Sequence, residues 1–188
     1  MHSQQYGKVH SVLAALIVSV VLLAGCSYTA MPKNIPSIAG YDELSLKNKA
    51  VIITNAEENA SIEELLNDKG EASGFQANRH LWSKKLVEAL AAELARRGAS
   101  VRSNAPVTLR ISLPELTMLQ TTTLYQFKVK VLVVSSTGLS KSYEGIGGGD
   151  VYSAWSVTDA AAQWSGQALA EAIKAMMQDK DFLAALGK

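Results

Sequence analysis

Apolar and polar positions change rhythm several times along this chain, and each rhythm predicts a different element. From Asn78 to Arg97, Trp82, Leu86, Leu90 and Leu94 recur every four residues, with Leu81, Val87 and Ala91 beside them. That spacing builds one apolar stripe on an amphipathic helix. Glu93 and Arg97 form an i,i+4 pair on it, and Gly98 supplies its stop. From Pro106 to Leu113 the rhythm shortens to two. Val107, Leu109, Ile111 and Leu113 point one way; Thr108, Arg110 and Ser112 point the other. Leu124 to Ser135 repeats this, with Tyr125, Phe127, Val129, Val131 and Val133 opposite Gln126, Lys128 and Lys130. Period two on both runs predicts a sheet with one buried face. Ser136-Thr137-Gly138 is a turn, and Leu139 to Gly145 returns as a hairpin strand. The helical rhythm comes back from Ser156 to Gln178, where Ala168, Leu169, Ala172, Ile173 and Met176 build the buried stripe. Asp181 to Leu186 adds a last turn, with Phe182 and Leu186 docking back.

Upstream, Lys49 to Thr54 is a short β-branched run and predicts a buried strand. Asn55 to Gly74 turns polar and acidic, with Glu57, Glu58, Glu63, Glu64, Asp68 and Glu71 against Lys69. Ser61 with Glu64 three later is a capping-box pattern, which predicts a two-turn helix ended by Gly70. This stretch reads either as a patch for a basic partner or as a solvated excursion. Two amphipathic helices and a sheet with one apolar face cover each other. The expected fold class is therefore α+β: a two-layer sandwich of a mostly antiparallel sheet with both helices on one face.

The first 48 residues are organised differently. A polar start carrying Lys8 precedes an apolar run from Val12 to Ala24, broken only by Ser19. That run is about 13 residues, against the ~20 that a membrane-spanning helix needs. A positive start, a short apolar core and small residues at its end describe an export signal. The run ends in Leu23-Ala24-Gly25-Cys26, which resembles the lipobox of bacterial lipoproteins. The resemblance implies cleavage between Gly25 and Cys26, with covalent diacylglyceryl and N-acyl groups on Cys26. Two or more acyl chains anchor stably where one does not, at ~0.8 kcal/mol per buried CH₂. Ser27 at the next position resembles the outer-membrane sorting class. The expected organisation is a signal over residues 1–25, a lipidated N-terminus and flexible tether over 26–48, and one periplasmic domain over 49–188.

Composition narrows the function classes. Removing residues 1–25 takes away Lys8 and no acid, so the 18 basic and 17 acidic residues become balanced at 17 each. A neutral chain lacks the basic footprint that nucleic acid requires. Cys26 is the single cysteine; once it is acylated there is no disulfide, thiol nucleophile or cysteine metal site. His2 and His10 leave with the signal, so His80 is the remaining histidine, too few for a zinc site.

The ordered series of elements is similar to the YajG family of uncharacterised bacterial outer-membrane lipoproteins. The residues carrying the likeness are LAGC at 23–26, "LVEALAAELARRGASV" at 86–101 and "SNAPVTLRISLPEL" at 103–116. They continue in "YQFKVKVLVVSSTGLSKSYEG" at 125–145 and in the final helix ending "MMQDKDFLAAL". The likeness is weaker over 27–75. It implies a lipid-anchored, periplasm-facing outer-membrane domain and transfers no catalytic residue. More distantly, the element order is similar to auxiliary lipoproteins of envelope transport machines.

Few residues offer chemistry. "GIGGGD" at 145–150 fits neither phosphate-loop spacing and predicts a strand end with a bulge or a positive-φ turn. His80 reads as a surface or helix-cap histidine, since no nucleophile or orienting carboxylate accompanies it. Asp150, Asp159, Glu144 and Glu171 have no spacing that singles out an acid–base pair. No catalytic, metal or cofactor residue is assigned. Arg110, Lys128 and Lys130 lie on the polar face of adjacent predicted strands. They form either a basic patch for anionic lipid, lipopolysaccharide or an acidic protein, or an ordinary solvated face. Tyr152 and Trp155 serve either as an aromatic contact or as core. The sequence thus points to a non-enzymatic accessory or binding module of the cell envelope. The alternative is a lipid- or lipopolysaccharide-binding auxiliary of a transport system, which requires an apolar groove between helices and sheet.

Overall fold

The computed structural model describes residues 27–40, 45–58, 60–121, 123–150 and 156–187. The signal, Gly25, Cys26, Tyr152 and Trp155 lie outside them. In chain order the elements are β1 (Tyr28–Thr29), β2 (Ala50–Asn55), β3 (Ile62–Leu66), β4 (Ala72–Asn78), α1 (Arg79–Arg96), β5 (Ser100–Val101), β6 (Val107–Gln120), β7 (Leu124–Ser135), β8 (Ser140–Asp150), α2 (Val157–Gln178) and α3 (Lys180–Ala185). The α+β class holds, but there are two sheets: five strands ordered β5-β2-β6-β7-β8 and three ordered β1-β4-β3. β6, β7 and β8 are antiparallel neighbours, while β2 runs parallel to both β5 and β6.

Both long helices form for the reasons their periodicity gives. The Asn78 side chain caps α1 by accepting from Leu81 N at 2.9 Å, and Trp82, Leu86, Leu90 and Leu94 are fully buried. Ser156 caps α2 by accepting from Asp159 N. α1 lies over β2 and β6, and α2 over β7 and β8. Val107, Leu109, Ile111, Leu113, Phe127, Val129, Val131 and Val133 meet them from the sheet.

The parity of β6 changes midway. Leu113 and Leu116 are both buried, because the pairing with β7 shifts by one residue between Ser112 and Glu115. Pro114 sits in this bulge, where its missing N–H costs no ladder bond. Glu115 and Thr117 consequently join the open face.

The acidic excursion corrects the expected helix. It is the β3–β4 hairpin, with Leu65 turned inward and Ile62, Glu64 and Leu66 outward. Its turn is built by Asn67, whose side-chain oxygen accepts from Lys69 N and Glu71 N at 2.9 Å each. Gly70, at φ 79°, completes it. This local network competes successfully with the capping box, as Asn side chains do in turns. Above β4, Phe75 plugs the end of the main core. Its ring centroid lies 5.8 Å from those of Phe127 and Tyr125, and Phe127 lies 5.7 Å from Trp82.

Residues 27–48 are a second correction. The described part is a strap packed on the domain, not a flexible tether. Ala30 N donates to Gln76 O at 2.8 Å, and the Trp82 indole N–H donates to Ala30 O at 2.8 Å. The strap crosses α2 at Gly166, where any Cβ would collide with Asn34 O. Arg96 and Arg97 both donate to Ile38 O, and Leu46 N donates to Arg97 O. Ala30, Ile38 and Leu46 are buried. An extended segment crossing two helices buries residues at irregular intervals, so neither period two nor period 3.6 marks it. The Glu93–Arg97 i,i+4 pair forms as the spacing predicts, and it is buried beneath this strap.

Candidate functional site

The open face of the main sheet holds the three basic residues singled out from the sequence. β7 places Lys128 and Lys130 between β6 and β8. Lys128 Nζ lies 3.9 Å from Glu115 and 3.5 Å from Glu144, and Lys130 is paired in register with both glutamates. Arg110 is exposed further along β6, opposite Thr54 and Val134. These residues share a face but make no basic patch. The acids come from the bulge, which turns Glu115 outward, and from β8. Simple alternation from Val107 would have put Glu115 inside. The result is a mixed-charge surface of partly exposed pairs, each contributing ~0–1 kcal/mol.

His80 stands in the first turn of α1 and is half-buried, with its Nδ1 2.6 Å from Glu57 O. The neighbouring Glu57 carboxylate accepts from Leu113 N at 2.5 Å. Both groups are thus tied to backbone, and the Asn55 side-chain amide also donates to His80 O at 3.0 Å. Asp159 pairs with Lys33 at 3.3 Å and Glu171 with Lys174 at 3.1 Å, on exposed positions of α2. Among the described residues no three His, Cys, Asp or Glu side chains gather as a metal site.

One polar cluster was not legible in the sequence. Tyr143 Oη donates to Asp179 at 2.6 Å, and Lys141 Nζ lies 2.8 Å from Asp179 and 3.0 Å from Asp181. Burial, then the bond to Asp179, pushes the Tyr143 phenol up, so it remains a donor rather than a base. Burial also pushes the Asp179 carboxyl up. The hydrogen bonds from Lys141, Tyr143 and Asp181 N together outweigh it, and the group sits below its ordinary range. Hydrogen bonds to Asp179 and Asp181 raise Lys141. Asp179 also caps α3 by accepting from Asp181 N at 3.0 Å. The cluster clasps α3 to β8, a structural task.

The glycine run has another role than the one its pattern suggested. None of Gly145, Gly147, Gly148 and Gly149 has positive φ; all lie in β8. A Cβ at Gly145 would collide with Ala168 O and Ala172 N, and one at Gly147 with Trp164 O and Ala168 N. α2 therefore rests its backbone directly on β8. This corrects the expected bulge or turn.

The seam between helices and sheet is filled. Leu86, Leu90, Leu94, Phe127, Leu169 and Met176 are each 0 % exposed within it. Hollows of about 240, 180 and 370 Å³ lie outside the helices beside the strap at Lys33–Ala39, and an open one of about 490 Å³ lies between β8 at Glu144–Ile146 and α2 at Glu171–Gln178. All are surface depressions outside the buried seam, and the larger two are lined by charged and amide side chains as well as apolar ones. Among the described residues no helix is long and apolar enough to cross a membrane.

No protein-family model matches the chain, and no curated protein matches it. Several solved structures are similar to it at low identity. A Xanthomonas campestris protein of family DUF330 is 13% identical with a TM-score of 0.46, covering 80% of this chain and 91% of that one. A candidate lipoprotein from Caulobacter crescentus is 16% identical with a TM-score of 0.43, over 72% of this chain and 89% of its own. A PelC dodecamer from Paraburkholderia phytofirmans is 16% identical with a TM-score of 0.33, over 79% and 95% respectively. The YajG resemblance is carried by the sequence motifs alone.

Proposed function

We propose that this chain is a lipid-anchored lipoprotein of the outer membrane. Its periplasm-facing domain works as a non-enzymatic accessory or binding module for another envelope component. The observation that carries the reading is the Leu-Ala-Gly-Cys ending of a short apolar run, followed at once by a folded domain. Cys26 carries the diacylglyceryl and N-acyl groups, Gly25–Cys26 is the cleavage junction, and Ser27 sorts the protein outward. The lipid confines the domain to a thin layer and so raises its effective concentration near membrane partners. The polar clusters described above serve folding, which favours a binding role over a chemical one. The filled seam favours a protein partner over a lipid carried between helices and sheet.

The test is a native pull-down from gently solubilised membranes, read for proteins and lipids by mass spectrometry. A stoichiometric envelope protein is the expected result. A retained lipid without a protein would overturn the reading in favour of a transport auxiliary.

A further inference from the structure

The folded domain begins almost at the lipid. β1 starts at Tyr28, two residues after Cys26, and pairs at once with β4. Covalent geometry keeps the Cα atoms of residues 26 and 28 within about 7 Å. The headgroup zone on each side of a bilayer is itself about 5–8 Å deep. A domain fixed so close to its acyl chains does not swing freely.

The small sheet also says which end faces the lipid. β1 is parallel to β4, with Tyr28 beside Phe75 and Thr29 beside Gln76. Moving back from Tyr28 towards the lipidated end therefore runs along β4 towards the Asn67–Gly70 turn. Leu66, paired with Ala72, is next to that turn; Ile62, paired with Asn78, lies at the far end of β3, about 13 Å away. Three of the large apolar side chains most open to solvent belong to this sheet: Tyr28 at 41 %, Leu66 at 47 % and Ile62 at 60 %. Of these, Tyr28 and Leu66 lie towards the lipidated end, where half-exposed aromatic and aliphatic groups suit the apolar-to-polar boundary of a bilayer.

Resting on the reading of Cys26 as the acylated first residue, we infer that the three-stranded sheet is a membrane-docking surface. The tip of the β3–β4 hairpin and Tyr28 lie against the headgroups, Leu66 dips among them, and the open face of the five-stranded sheet is left free. The occupant is the lipid surface itself. The tip carries Asp68 and Glu71 against Lys69, so it suits a zwitterionic surface better than a strongly anionic one.

The experiment uses the acylated, signal-cleaved chain in vesicles of phosphatidylethanolamine and phosphatidylcholine. Acylation consumes the native thiol, so Leu66→Cys, Ile62→Cys and Val134→Cys each offer a single site for a fluorophore. Val134 lies on the open face and is 38 % exposed. Quenching by nitroxide-headgroup lipid is expected to be at least threefold stronger at position 66 than at 134, with position 62 between. A flexible insert of about ten Gly and Ser residues between Ser27 and Tyr28 is expected to bring the three positions within twofold. Equal quenching at the three positions of the acylated chain without the insert overturns the orientation. So does crosslinking of position 66 to a second copy without quenching. An unmodified Cys26 by intact mass overturns the lipoprotein reading and the docking surface together, so the two failures are told apart.

Discussion

Replacing Gly145 or Gly147 by alanine perturbs the contact on which the second half of the fold rests. Neither glycine needs positive φ, so alanine meets no backbone penalty there. The change even restricts the unfolded chain, which on its own favours folding by ~0.4–1 kcal/mol. The opposing effect is steric. At both positions the new Cβ would strike backbone atoms of α2, which cannot rotate out of the way as a side chain would. Either α2 lifts from β8, or the sheet bends; overpacking of this kind costs ~1–3 kcal/mol. The clash with fixed backbone places these sites at the upper end, so the net loss is about 2 kcal/mol, or about 4–8 °C in Tm for a domain of this size. Ser142→Ala, on an exposed position of the same strand, is the control, with an expected change within about 0.5 kcal/mol. Urea and thermal unfolding of the soluble Cys26→Ser chain lacking residues 1–25 measure this directly. Stabilities of both glycine variants equal to that of Ser142→Ala would refute the direct seating of α2 on β8.

Further outcomes follow from other parts of the structure. Trp82→Phe keeps an aromatic ring but removes the indole N–H and part of the buried volume, leaving the Ala30 carbonyl without its 2.8 Å donor; it is expected to cost about 1–3 kcal/mol and to speed amide exchange over residues 28–38. Leu90→Ala, in the fully buried stripe of α1, is expected to cost about 2–5 kcal/mol in urea unfolding. Asp179 is held below the ordinary carboxyl range, so its contribution is present above the unfolded value, near 3.9, and is lost as pH falls through the folded one. Asp179→Asn should therefore be less stable than the parent at pH 6, with the gap closing in unfolding curves taken towards pH 2. Asn67→Ala removes the side-chain acceptor of two backbone N–H groups and should raise protease cutting at the β3–β4 turn without unfolding the main sheet.

Where one face of an element is buried and the other is wet, the pattern of residues was enough to read it. The four-residue spacing of Trp82, Leu86, Leu90 and Leu94, and the alternation in β6 and β7, gave α1 and the middle of the sheet directly. Four features escaped for distinct physical reasons. The strap over residues 27–40 buries side chains by crossing helices, which leaves no period. The hairpin at 62–78 is decided by Asn67 and Gly70 in competition with the capping box that Ser61 and Glu64 spell. The bulge at Pro114 reverses parity, so an alternation continued from Val107 misses that Glu115 lies on the open face beside Lys128. That reversal also dissolved the basic patch, because a charge pattern read along single strands omits the acids that neighbouring strands supply. The Lys141–Tyr143–Asp179–Asp181 clasp joins residues about 40 positions apart, beyond any local signal. Of the proposed functional residues, Cys26 and its preceding apolar run are the ones the sequence marks, because a processing signal of the kind proposed would be read by enzymes as a linear chain before folding.

The measurement that bears most directly on the anchored-lipoprotein reading is the intact mass of the protein extracted from the outer-membrane fraction. A chain beginning at Cys26 and carrying a diacylglyceryl and an N-acyl group is the predicted result, with Cys26→Ser found uncleaved or out of that fraction. A chain that keeps residues 1–25, or begins elsewhere with its cysteine unmodified, would contradict the anchor.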